Sequence, residues 1–186
     1  MNYGREEVII KRDCPAVTVP HGALVTIEEG CFAQITQKLG GSYTVLVEGN
    51  LYRIEGADAD ALGYEPVAHS DRSEAPDEPA TAESVEEAAW ALLATCYDPE
   101  IPIDIVNLGL VYSCKVLAAG ENLFRIDIQM TLTAPGCGMG TMIADEARSK
   151  LLSIHGVDGV KVDLVWDPPW SRDMISEQAR LEMGLL

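Results

Sequence analysis

Two hydrophobic patterns divide the 186 residues. Up to about residue 64, apolar side chains come in short alternating runs: Ala16-Val-Thr-Val19, Ala23-Leu-Val-Thr-Ile27 and Phe32-Ala-Gln-Ile-Thr36, broken by Pro20-His-Gly22 and Glu29-Gly30. Gly40-Gly41-Ser42 before Tyr43-Thr-Val-Leu-Val47, and Gly49-Asn50 before Leu51-Tyr-Arg-Ile54, carry the glycines that tight hairpin turns need. No helical period of useful length occurs there. Residues 1–64 are therefore expected to form a small all-β domain, a barrel or a sandwich.

Residues 65–83 hold three prolines, many acidic and small residues and almost no bulky apolar ones, a composition that predicts a linker. From 84 onward the period lengthens. Ser84-Val-Glu-Glu87 reads as a capping box, and Val85, Ala88, Ala89, Leu92, Leu93 and Cys96 recur at helical spacing, which predicts a helix over 85–96 stopped by Asp98-Pro99. Alternation then marks a strand over 108–116, a turn at Gly120-Glu-Asn122 and a second strand over 124–133 with one apolar and one polar face. Met139 to Leu152 reads as a helix with Ile143, Ala147 and Leu151 inward and Glu146 and Lys150 outside. Residues 160–166 read as a third strand, and a last helix is expected from a Ser171 cap to about Gly184. The order predicts an α+β fold for 84–186, an αββαβα sandwich whose first two strands form an antiparallel hairpin and whose third is reached by a crossover.

Charge narrows the partners. With 30 acidic against 13 basic residues the net charge is −17, the opposite of a nucleic-acid footprint and unsuited to anionic lipid. No apolar stretch is long enough to cross a bilayer and no secretory leader pattern opens the sequence, so neither nucleic-acid nor membrane binding is expected. Five cysteines (14, 31, 96, 114 and 137) without CxxC spacing fit a cytoplasmic chain with reduced thiols.

Cys137 is the principal chemical candidate. It lies in Ala134-Pro-Gly-Cys-Gly-Met-Gly140, where a strand gives way to a helix. Backbone N–H groups at a helix start stabilise a thiolate, and Gly136 and Gly138 let a ligand approach the backbone. The polar face of the incoming strand brings Thr131 and Thr133 toward the same end. Asp98-Pro-Glu-Ile-Pro102 is the second candidate, since two prolines hold an extended, stiff segment carrying the Asp98 and Glu100 carboxylates. These carboxylates either ligate or orient a metal near Cys137 or simply form a solvated helix stop. A Walker loop is excluded because no Lys follows the last glycine. A Cys–His nucleophile is disfavoured because His155 lies beyond the far end of a helix about 21 Å long at ~1.5 Å per residue. Cys96 and Cys114 fall on predicted buried faces, whereas Cys14 and Cys31 remain open between edge residues and a second thiol site. Trp166 and Trp170 read as a hydrophobic clamp on the last helix.

Asp98-Pro-Glu-Ile-Pro102, Asn107-Leu-Gly-Leu-Val-Tyr112, Met130-Thr-Leu-Thr-Ala-Pro-Gly-Cys-Gly-Met139 and Trp166-Asp-Pro-Pro-Trp170 together resemble the core domain of the PaaD/SufT group of iron–sulfur cluster assembly factors, over about 84–186. Arg12-Asp-Cys14, Thr36-Gln37, Leu39-Gly-Gly-Ser-Tyr-Thr-Val45 and Gly49-Asn50-Leu51 resemble the N-terminal extension of SufT-type members. The resemblance implies a non-enzymatic maturation factor that works with the assembly machinery and client apoproteins. Cys137 would be its reactive residue, Asp98 would lie near that cysteine, and Thr131 and Thr133 would line the pocket. Related domains bind zinc or dimerise through swapped segments, so a homo-oligomer is expected, with zinc a possible substitute for iron or an Fe–S cluster. One thiolate per chain cannot fill a cluster's four ligand positions, so any cluster would be shared and transient. The alternatives are a metal-free adaptor docking clients through its acidic surface and Trp-bearing segment, and, more remotely, a thiol-dependent enzyme.

Overall fold

The computed structural model describes residues 6–66, 79–134 and 139–184. Contacts within the chain divide it into two compact units, Met1–Ser70 with Pro99–Pro102, and Asp71–Asp98 with Ile103–Leu186.

The first unit is built on strands β1 (Glu6–Ile9), β2 (Cys14–Val19), β3 (Leu24–Ile27), β4 (Phe32–Leu39), β5 (Ser42–Val47) and β6 (Asn50–Glu55), followed by a 3-10 turn, Gly56–Leu62. All six join one antiparallel sheet in the order β1-β4-β5-β6-β2-β3. The sheet curls its apolar face around a single cluster that includes Ile10, Cys14, Ile35, Val45, Ile54 and Leu62. A sandwich would need two sheets, so that alternative is not the one formed; the end strands β1 and β3 have no ladder between them among the described residues. The β4–β5 turn is Gly40-Gly41, both at positive φ (66° and 82°), as a two-residue hairpin of this hand requires. Arg12 fastens the 3-10 turn to the sheet, donating to Asp60 at 2.7 Å and to Asp58 at 2.9 Å, and Asp13 Oδ1 accepts the Glu29 N–H at 3.0 Å. The Arg12-Asp-Cys14 stretch thus has a structural role, with Cys14 fully buried directly after its two polar neighbours.

The second unit runs α1 (Ala82–Leu93), β7 (Val111–Gly120), β8 (Leu123–Met130), α2 (Met139–Leu152), β9 (Val157–Leu164), a 3-10 turn Arg172–Met174 and α3 (Glu177–Glu182). β8 is central, antiparallel to β7 (Cys114↔Ile128) and parallel to β9 (Ile128↔Val162). Ile126, Ile128 and Met130 of β8 are fully buried, as are Ala89 and Leu93 of α1 and Ala147 and Leu151 of α2. α1 packs on β7 and α2 on β9, and the two helices touch. The opposite sheet face is polar: Arg125 pairs with Asp127 at 2.9 Å and Lys161 with Asp163 at 2.7 Å. The unit is the expected mixed α+β arrangement with an antiparallel hairpin and a parallel third strand.

Several boundaries differ from the sequence expectation. Thr81, not Ser84, caps α1; Thr81 Oγ1 accepts the Ser84 N–H at 3.1 Å and Ser84 Oγ accepts the Thr81 N–H at 3.0 Å, so the capping box lies three residues early. The helix ends at Leu93, well before Asp98-Pro99. Leu108 and Leu110 are buried but precede β7 in a turn, and β8 stops at Met130, leaving Thr131 and Thr133 beyond its end. β9 ends at Leu164, so Trp166 lies outside it. In place of one helix after Ser171 there is a short 3-10 turn and then α3, capped by Ser176. Lys150 is not simply outside: besides its 2.8 Å ion pair with Glu146, it donates to the Thr95 carbonyl at 2.8 Å, neutralising the exposed carbonyl end of α1.

Candidate functional site

Asp98 sits in a loop that turns back on itself rather than in a stiff extended segment. Tyr97 and Asp104 form an antiparallel bridge, and within it Asp98 donates its N–H to the Ile103 carbonyl at 3.3 Å. The two prolines shape this return instead of holding a straight run. The loop separates the two carboxylates, for Asp98 is buried whereas Glu100 is exposed.

At the exit of β8 the chain stays in the core at Thr131 and Leu132. Thr131 donates its N–H to the Leu110 carbonyl at 2.8 Å, and its side chain is 0% exposed. Its Oγ1 has no hydrogen-bond partner among the described residues. A buried hydroxyl left unpaired costs about 1–3 kcal/mol, so this position is paid for in stability unless something else satisfies it. Thr133 is half-buried. Gly136, Cys137 and Gly138 lie outside the described residues; α2 begins at Met139, just after them. Among the described residues no group of three or more His, Cys, Asp or Glu side chains stands ready to hold a metal.

The other thiols are structural. Burial pushes Cys14 and Cys114 each up to about 11, so both remain protonated near neutrality, and Cys96 is fully buried. Cys14, left open by the sequence, is thereby a core residue; Cys31 is half-buried.

Sequence reasoning did not find the network that secures the loop before β7. Asp104 Oδ1 accepts the N–H groups of Val106 (3.0 Å) and Asn107 (2.9 Å), and its Oδ2 accepts the Asn107 amide at 2.8 Å. Asn107 in turn accepts the Ser176 hydroxyl. The signal was present as Asp104-Ile-Val-Asn107, an Asp followed three residues on by an Asn. The aromatic stretches are partners in the same region: Trp170 Nε1 donates to the Leu108 carbonyl and Tyr112 Oη to the Pro168 carbonyl, both at 2.8 Å. Trp170 is thus tied to the turn before β7 instead of pairing with Trp166 as the expected clamp on the last helix, and Trp166 is exposed.

The buried Thr131 follows the central strand of this α+β unit, and in sequence Pro135-Gly-Cys-Gly138 lies between it and α2. Comparisons with known proteins give the family. A sequence family described as iron–sulfur cluster assembly protein matches residues 86–164. An Fe-S protein maturation auxiliary factor from Porphyromonas gingivalis is 46% identical over 101 residues, spanning 54% of this chain and 92% of that protein. The Fe-S protein maturation auxiliary factor SufT of Staphylococcus aureus is 46% identical over 88 residues, 47% of this chain and 96% of that protein. Among solved structures, a domain of unknown function from Bacillus anthracis aligns over 56% of this chain and 96% of its own length, with 34% identity and a TM-score of 0.50. The chain belongs to the iron–sulfur cluster assembly protein family. These relatives are covered almost completely by about half of this chain, so the remainder is additional to them. No helix among the described residues is long and apolar enough to cross a membrane.

Proposed function

We propose that the chain is a cytoplasmic accessory factor of iron–sulfur cluster assembly, which carries a cluster or iron transiently and helps transfer it to client apoproteins through Cys137. The observation that carries this reading is the Thr131 hydroxyl, buried and without a partner among the described residues, six positions before Cys137 in sequence. A cargo with sulfide or thiolate acceptors would take its hydrogen bond and recover the cost of burying it. Placed by sequence just before the N-terminus of α2, Cys137 would be favoured as a thiolate, and Gly136 and Gly138 carry no side chains to exclude a bulky cargo. Asp98 is the carboxylate proposed to join Cys137, with Thr133 as a further pocket residue. One thiolate and one carboxylate per chain leave a cluster under-ligated, which favours handover over storage. We therefore assign the working form as a homo-oligomer, or a complex with the assembly machinery, in which a second chain completes the shell. Zinc would fit the same thiolate and carboxylate in iron's place.

The test is a strain lacking the protein, complemented by wild type or by Cys137→Ser, with the activity of an Fe–S client enzyme as the readout. The variant is expected to fold and to leave client activity near that of the deletion. Full rescue by Cys137→Ser contradicts the transfer role and, if the variant still binds the client, supports a metal-free adaptor instead.

A further inference from the structure

The two motifs that face each other across the start of β7 enclose more than their mutual hydrogen bonds. Between them lies an open groove of about 670 Å³, floored by Val111, Val165 and Met174 and edged by Tyr112, Gln129 and Asp167. Because the groove is open to solvent, it suits a side chain or a short segment laid along it rather than a cofactor enclosed on all sides.

The polar groups around the groove are mostly acceptors. Tyr112 has committed its proton to the Pro168 carbonyl, so its phenol oxygen offers only lone pairs to anything that enters. The Met174 sulfur lies 3.7 Å from that same oxygen and is likewise a weak acceptor. Asp167 is the one charged residue of the lining, and among the described residues its carboxylate makes no hydrogen bond or ion pair. The Gln129 amide is the single neutral donor, its Oε1 already accepting from the Ser113 hydroxyl at 3.2 Å. An apolar floor beneath acceptors and one unpaired carboxylate suits a long aliphatic stem ending in a cation. The chain's net charge of −17 draws such a group in. A guanidinium meets the arrangement better than an ammonium, because its planar fork can bond a carboxylate with two donors while its face lies on the Tyr112 ring.

We propose that this groove is a docking site for an arginine side chain presented on an extended segment of a partner polypeptide. The described lining residues include neither Asp98 nor Thr131 nor Thr133, and occupancy of the groove requires no iron. It would hold a partner by a residue other than the ones that receive the cargo.

The proposal is tested on the full-length protein without metal, with two fluorescently labelled pentapeptides, acetyl-Ala-Val-Arg-Val-Ala-amide and the same peptide with citrulline for arginine. Citrulline keeps the shape and removes the charge. Binding of the arginine peptide at least tenfold tighter than the citrulline peptide, with NMR shifts centred on Val111, Gln129, Val165 and Asp167, is the expected result. Asp167→Asn is expected to abolish that preference. Equal affinities for the two peptides, shifts elsewhere on the molecule, or an unchanged preference in a folded Asp167→Asn protein would each overturn the proposal. The peptide comparison on wild type stands even where the variant does not fold, and since no cluster is involved its failure leaves the transfer role untouched.

Discussion

Asn107 accepts the Ser176 hydroxyl at 2.8 Å across 69 positions of sequence, while the Ser176 N–H donates to the Asn107 carbonyl at 2.8 Å. Ser176 also caps α3, its Oγ accepting the Ala179 N–H at 3.2 Å. A single pair therefore ties the last helix to the loop that precedes β7 and, through Asp104, to the bridge that shapes the Asp98 loop. Ser176→Ala removes the cap and one side chain–side chain bond together. It should lower unfolding free energy by about 1–2 kcal/mol, read as a reduced urea midpoint with unchanged slope. Asn107→Ala should cost at least as much, and the double variant should fall short of the sum, because both remove the same bond.

Gly109 is held at a φ of +74°, and a Cβ there would come within 2.3 Å of the Met174 carbonyl oxygen. The obstructing atoms are Met174 backbone, so a side chain at 109 requires the turn or the Arg172–Met174 segment to shift. Gly109→Ala should therefore destabilise by more than about 2 kcal/mol. A melting temperature within a degree or two of wild type would show that the C-terminal segment is not held against this turn.

The raised Cys14 and Cys114 thiols have a consequence at alkaline pH. Both hold their proton up to about 11 in the folded protein, through burial first of all, whereas an unfolded cysteine loses it near ~8.5. Between those values the folded state binds more protons than the unfolded one, so stability declines as pH rises from ~9 to ~11 and is fully retained below that window. Denaturation midpoints across this range should fall, and Cys14→Ala should fall less steeply even though it is less stable at neutrality. Thiol labelling at pH 8 should likewise leave Cys14 and Cys114 unmodified in the native protein.

Much of the second unit was legible in the sequence. Helix α2 has the expected span because its buried Ile143, Ala147 and Leu151 recur without a competing pattern. Errors arose where two signals overlapped. Thr81 and Ser84 each begin a capping-box pattern, and the reciprocal bonds form at the earlier one. Ser171 and Ser176 are both possible caps, and only the second starts a helix. The alternation through Leu108 and Leu110 imitates a strand because the turn organised by the Asp104 carboxylate also buries these two leucines on either side of Gly109. β1 went unseen since Glu6-Glu-Val-Ile9 has no alternation of its own and is ordered by pairing with β4. Of the site, the sequence singled out Thr131 but not that its hydroxyl is unpaired, a property of packing that no spacing rule carries.

That hydroxyl permits a test in which stability and function move in opposite directions. Thr131→Val keeps the shape and deletes the unpaired oxygen, so the protein should be as stable as wild type or about 1 kcal/mol more so. It should also retain less iron after anaerobic reconstitution. A loss of stability would mean that the hydroxyl serves the fold, and unchanged iron would remove it from the cargo site.

The most direct measurement is the iron and acid-labile sulfide content of the full-length protein reconstituted anaerobically, wild type beside Cys137→Ser, with circular dichroism to establish that both are folded. The account predicts iron and sulfide in the wild type and less than a tenth of that in the variant. Equal contents in the two proteins, or none in either, would contradict it.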